Sequence, residues 1–101
     1  MFAGGVVPDA FERDMACGEA EWARLLAQAL GEARWSPSAA SAQVRVGTGR
    51  LRLTWQPLPP RQIALLCLPM LRVRFVFDGV SAADRAGFMR HFDLHTHRGG
   101  G

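Results

Sequence analysis

The sequence predicts an α+β fold, a two-layer sandwich in which a four-stranded antiparallel meander carries an N-terminal and a C-terminal helix on one face. Three patterns lead there. Arginine alternates with apolar residues at Val44-Arg45-Val46, Arg50-Leu51-Arg52-Leu53 and Leu71-Arg72-Val73-Arg74-Phe75. Successive strand side chains point to opposite faces, so this alternation describes a sheet with one oily side and one cationic side. Trp22, Leu25, Leu26, Ala29, Leu30 and Ala33 recur at helical spacing, a continuous stripe able to cover the oily side. Ser81 with Asp84 three residues on, followed by Phe88 and Phe92 four apart, opens a second helix.

Residues 1–8 show no usable period and read as a flexible end. Asp9 and Glu12 resemble a capping box, which predicts a short helix over Ala10–Ala16 interrupted by Gly18. The main helix is expected over Glu19–Arg34, with Glu19 and Glu21 in its first turn and Arg34 in its last, as the helix dipole favours. Ser36-Pro37-Ser38 ends it, because the residue before proline disfavours the helical conformation, and residues 36–41 become a linker. Gln43–Val46 and Arg50–Gln56 pair as a hairpin about Gly47-Thr48-Gly49, in a register that sets Val46 opposite Leu51 and Arg45 opposite Arg52. Pro57-Leu58-Pro59-Pro60 is expected to leave the sheet, since proline supplies no ladder donor. Gln62–Leu68 is apolar on both faces and reads as a central strand covered on both sides. Pro69-Met70 makes the next turn, and Leu71–Phe77 is the fourth strand, with Leu66 opposite Val73 and Ala64 opposite Phe75. Asp78-Gly79 closes that strand. The second helix, Ala82–Phe92, ends near Phe92–Leu94, and residues 95–101 form a flexible tail.

The 101 residues make one domain, and 49% hydrophobic against 21% charged residues marks it as globular. All 12 basic side chains are arginine, and lysine and tyrosine are missing, a composition expected of a GC-rich bacterial genome. Schiff-base chemistry, a phosphate-loop lysine and a phenolic acid or base are thereby excluded. Charge is unevenly spread: residues 1–40 hold six carboxylates against three arginines, and residues 41–101 hold three against nine. That split fits either an anionic partner for the second part or compensation of the basic sheet face by an acidic helix. The two cysteines, Cys17 and Cys67, make no disulfide framework, the opening residues lack a charged secretory start, and the apolar run Ile63–Leu68 is too short for a membrane span. A cytoplasmic location without membrane contact is the expectation.

Candidate binding residues follow from the alternation. Arg45, Arg50, Arg52, Arg72 and Arg74 form one face, and guanidinium forks suit phosphate geometry, so nucleic acid or another anionic ligand is one possible partner. The strand aromatics Trp55, Phe75 and Phe77 fall on the opposite side, which leaves no stacking platform for bases. Ile63, Leu65, Cys67 and Val76 share the arginine face in the expected register. Apolar side chains rimmed by arginine have the composition of a protein interface, and a symmetric homodimer is the expected partner arrangement. His91, His95 and His97 are the metal-ligand candidates, but a glycine tail beside them offers no rigid support, so no metal or other cofactor is expected. No nucleophile, base and orienting group converge in a motif. The functional expectation is therefore a non-enzymatic binding or assembly module that self-associates through the arginine-bordered face, with nucleic-acid or phosphate-ligand binding by the same arginines as the alternative.

Overall fold

The computed structural model describes residues 6–31, the backbone of 34–36, and residues 40–96. In chain order the elements are β1 (Ala10–Met15), α1 (Glu19–Leu30), β2 (Arg34–Ser36), β3 (Ser41–Val46), β4 (Gly49–Ile63), β5 (Leu66–Asp78) and α2 (Ala82–Thr96). The expected α+β sandwich is present. One open antiparallel sheet has the order β1-β5-β4-β3-β2, so β2 to β5 form the four-stranded meander and β1 adds itself beside β5.

Both helices cover one face of this sheet. Leu51, Leu53, Trp55, Val73, Phe75 and Phe77 point inward and pack with Trp22 and Leu26 of α1 and Met89 and Phe92 of α2 in a single buried cluster. Trp22 meets Trp55 and Phe92 edge-on, with centroids 5.7 and 6.1 Å apart, and Phe75 meets Phe92 the same way at 5.4 Å. Each such side chain contributes about 1.5–3 kcal/mol on burial. These contacts explain why the helices choose this side: the oily face of the strands and the apolar stripe of α1 each need the other.

Four local expectations give way to tertiary contacts. Ala10–Met15 is a strand, not a short helix, and pairs with β5 from Ala10↔Val76 to Met15↔Leu71. Its residues alternate as a strand requires, and Phe11 stacks on Phe75 at 4.6 Å. Six residues of ladder on an open sheet edge outweigh a capping signal of about 1 kcal/mol. Helix α1 stops at Leu30, short of Arg34, where the Gly31 amide closes back on the Ala27 carbonyl at 3.2 Å. Arg34–Ser36, expected as helix end and linker, pairs instead with β3 through Ser36↔Ser41. Helix α2 starts where expected, with the Asp84 amide donating to Ser81 Oγ at 3.1 Å, but continues to Thr96.

Three residues expected within flexible ends at about 1–8 and 95–101 have defined places in the fold. Val7 is buried and its carbonyl accepts from Arg85 Nε at 2.8 Å, while His95 and Thr96 are helical. Residues 1–5 and 97–101 lie outside the described residues.

The hairpins carry the largest corrections. The β3–β4 loop is Gly47-Thr48, so Val46 faces Gly49, Val44 faces Leu51, and Arg45 faces Arg50 in place of Arg52. Gly47 takes φ 57° at the first loop position, the backbone that a two-residue hairpin turn of this kind needs. The proline segment does not leave the sheet. β4 runs through it to Ile63, with Pro57 opposite Leu71 and a register shift between Leu58 and Arg61 that absorbs Pro59 and Pro60 as a bulge. Gln62–Leu68 is therefore no central strand: the turn sits inside it at Ala64-Leu65, with Ile63 facing Leu66. Pro69-Met70 lies within β5, and Val73 and Phe75 pair with Trp55 and Leu53, not with Leu66 and Ala64. Proline is tolerated here because this part of the ribbon has unpaired outer edges and a bulge, where no ladder donor is missed.

Candidate functional site

The outer sheet face is built by alternation on four strands. In β3 and β4 the side chains of Gln43, Arg45, Arg50, Arg52, Thr54 and Gln56 are exposed while their neighbours Ala42, Val46, Leu51, Leu53 and Trp55 are buried. In β5, Arg72, Arg74 and Val76 alternate with buried Val73, Phe75 and Phe77. β1 brings Glu12 and Asp14 to the same side, opposite Arg74 and Arg72. Arg45, Arg50, Arg52, Arg72 and Arg74 thus share one face, as the alternation requires.

Their electrostatic situations differ. Arg72 Nε donates to Asp14 Oδ1 at 2.9 Å and its Nη2 to Oδ2 at 3.2 Å. Arg74 Nη1 lies 3.7 Å from Glu12 Oε2. The hydrogen bond from Arg72 holds the Asp14 carboxyl below its ordinary value, with the Arg72 and Arg61 charges adding to it against a smaller burial effect. The same hydrogen bond raises Arg72. The neutralising acids therefore come from β1. The acids of α1 sit in the other layer, so within one chain the sheet face is compensated from β1 and not from that helix.

Arg45, Arg50 and Arg52 have no carboxylate within ion-pair distance among the described residues. Arg45 and Arg50 are directly opposite each other, and Arg52 is opposite Gln43. Like charges in facing positions are unfavourable. Arg45 and Arg50 line an open depression of about 640 Å³ together with Gln43, Val44, Thr48, Gly49, Asp78 and Gly79.

The four residues expected as an interface core are only partly brought together. Val76 lies on the outer face, between Arg52 and Ala10. Ile63, Leu65 and Cys67 lie far along the β4–β5 ribbon, in a segment the sequence analysis folded differently. Beyond Gln56 and Leu71 this ribbon has no third strand among the described residues: β1 pairs with β5 only up to Leu71, and β3 with β4 only from Thr54. Every residue from Pro59 to Cys67 is exposed, and Ile63, Leu65 and Leu66 are 50%, 102% and 63% exposed. The pairs Leu58↔Met70, Arg61↔Leu68 and Ile63↔Leu66 fall on one side of the ribbon, continuous with the arginine face, because β5 keeps its alternation through the bulge. Cys67 pairs with Gln62 on the opposite side, and Leu65 is in the turn. Leu58, Leu66, Leu68 and Met70 are the residues that sequence reasoning missed here. Their signal was the spacing of Pro57, Pro59, Pro60 and Pro69, which marks ribbon edges protected from strand addition.

The remaining candidates have structural partners. His91 Nε2 donates to the Ala29 carbonyl at 3.0 Å and His95 Nδ1 to the His91 carbonyl at 2.9 Å, with the two rings 4.2 Å apart. His97 lies outside the described residues, and no group of three metal-ligating side chains occurs among those described. Cys17 is buried and Cys67 exposed. Among the described residues no helix is long and apolar enough to cross a membrane. No protein-family model matches the chain, and no curated protein matches it.

Proposed function

We propose that this chain is a non-enzymatic assembly module that forms a homodimer through the apolar side of its β4–β5 ribbon. The observation that carries the reading is a two-stranded ribbon with no third strand among the described residues, buried at Met70 but ending in a row of exposed aliphatic side chains, Ile63, Leu65 and Leu66. An isolated two-stranded hairpin is marginal in water, and exposed apolar patches of this kind mark interaction sites. A second copy is the occupant that needs no further chemistry. An apolar strip is complementary to itself across a two-fold axis, and closed two-fold pairs are the commonest assemblies. The prolines on the ribbon edges disfavour strand addition, so the contact is face to face. Arg72 borders the strip on the sheet side, and Arg61 interrupts it opposite Leu68, so the contact carries guanidinium groups among its aliphatic side chains. Cys67 is an exposed thiol, which suits a reducing compartment such as the bacterial cytoplasm.

Sedimentation or light scattering tests this reading. The parent is expected to be dimeric at about 50 μM, as a stable two-fold interface requires. The Ile63→Asp/Leu66→Asp variant is expected to be monomeric and folded, with an unfolding midpoint matching that of the parent diluted below its dimer dissociation constant, because both side chains are exposed in the single chain. A monomeric parent, or a dimer that survives both substitutions, overturns the proposal.

A further inference from the structure

A different part of the molecule carries a second, independent assignment. Of the five arginines on the outer face, two are neutralised from β1 and three are not. The three, Arg45, Arg50 and Arg52, occupy adjacent positions of β3 and β4, with Arg45 facing Arg50 and Arg52 two residues along the same strand. Facing strand residues are about 4.5–5.5 Å apart at Cα, and i, i+2 neighbours about 7 Å. All three guanidinium groups can therefore reach one anion of phosphate size. Gln43, which lines the depression beside Arg45 and Arg50, adds a side-chain amide there, while the Thr48 hydroxyl on its rim donates to the Gly79 carbonyl at 3.4 Å. Asp78 lines the depression too, opposite Arg50 in the ladder, and leaves the site with an excess of positive charge rather than a uniform one. A protein that holds two arginines face to face, with no carboxylate between them, retains an unfavourable pair that a bound anion would relieve.

We infer that Arg45, Arg50 and Arg52 form a binding site for the phosphate groups of a small soluble ligand. The footprint argues for a compact anion over a nucleic acid. Towards β1 the same face carries Glu12 and Asp14, which already engage Arg74 and Arg72. A duplex backbone laid across the sheet would run from the arginines onto those carboxylates. Among the described residues the face carries no aromatic side chain for stacking, since Trp55, Phe75 and Phe77 are buried beneath it. Recognition is by charge and guanidinium forks on phosphate oxygens.

Calorimetric titration with inorganic pyrophosphate at low salt is the test. We expect one site per chain with a dissociation constant below about 1 mM. In the Arg45→Ala/Arg50→Ala variant the affinity is expected to fall at least tenfold. The Arg24→Ala/Arg90→Ala variant removes the same net charge from exposed helix positions and is expected to bind like the parent. The Ile63→Asp/Leu66→Asp variant is also expected to bind like the parent, which separates this site from the dimer contact. Absence of pyrophosphate binding overturns the assignment. So does equal loss in the Arg24/Arg90 variant, or tighter binding of a 16-base-pair DNA duplex than of pyrophosphate.

Discussion

At the scale of single residues, position in the sheet decides what a side chain or its absence does. Gly49 opens β4 where the chain passes the end of β5: a Cβ there would lie 2.1 Å from the Asp78 carbonyl oxygen and 2.4 Å from that of Gly79. Both are backbone atoms and cannot swing aside. Gly49→Ala is expected to cost about 2–3 kcal/mol in urea unfolding, as overpacking does. Gly87 sits in α2 with nothing within 4 Å of the same added atom, so Gly87→Ala is expected to stabilise by about 0.5–1 kcal/mol. Asp14 shows the same dependence on neighbours through charge. Arg72 holds its carboxyl below the ordinary value of 3.8, so the folded state favours the ionised form. Its contribution is complete above the ordinary value and disappears as pH falls through the lowered one. Asp14→Asn is therefore expected to lose less of its unfolding midpoint than the parent between pH 5 and pH 2.5, measured by thermal scans.

At the scale of elements, the β4–β5 ribbon is two different objects joined at Gln56 and Leu71. The near half is central sheet, with Leu51, Leu53, Val73 and Phe75 fully buried. The far half has only its own ladder, and its turn places Ala64 at φ 54°, a backbone that disfavours any residue with a Cβ. Segments without core contacts open locally, at a cost below that of global unfolding. Ala64→Gly relieves the turn by up to about 1 kcal/mol, so hydrogen exchange of the ribbon amides flanking it is expected to slow up to about fivefold. The global midpoint is expected to stay where it is. Helix α2 is tied more firmly. Arg13 of β1 places its guanidinium on Asp93, Nη1 to Oδ1 at 2.5 Å, with the Phe75 ring centroid 5.8 Å from its Cζ. Arg85 donates to the Val7 and Val80 carbonyls, both at 2.8 Å.

At the scale of the whole molecule, the arginine cluster and the exposed aliphatic row stand at opposite ends of β4. Uncompensated arginines stand at the Gly47-Thr48 end of the sheet, and exposed aliphatic side chains stand at the Ala64-Leu65 end. The two proposed contacts therefore respond oppositely to salt. Phosphate binding is expected to weaken as ionic strength screens the guanidinium groups, whereas association through the ribbon is expected to persist. Sedimentation and pyrophosphate titration repeated at 50 and 500 mM salt check both.

What the sequence determined by itself is whatever depends on local period. Alternation in Val44–Val46, Arg50–Trp55 and Leu71–Phe77 was enough to send five arginines to one side and Trp55, Phe75 and Phe77 to the other, because strand geometry admits no alternative once the segments are strands. The apolar stripe of α1 and the Ser81 cap of α2 were legible for the same reason. Tertiary structure decided everything that depends on which backbone edge lies nearby. Asp9–Met15 has both a helix start signal and an alternating pattern, and the open edge of β5 selected the strand. Pro57, Pro59 and Pro60 normally end a strand, yet they stay in β4 where the outer edge needs no donors. The turn at Ala64-Leu65 lies in an unbroken apolar run without glycine, so no local signal marked it. That turn, by extending the ribbon past the rest of the sheet, set the place of Ile63, Leu65 and Leu66 and with it the surface on which the proposed assembly rests.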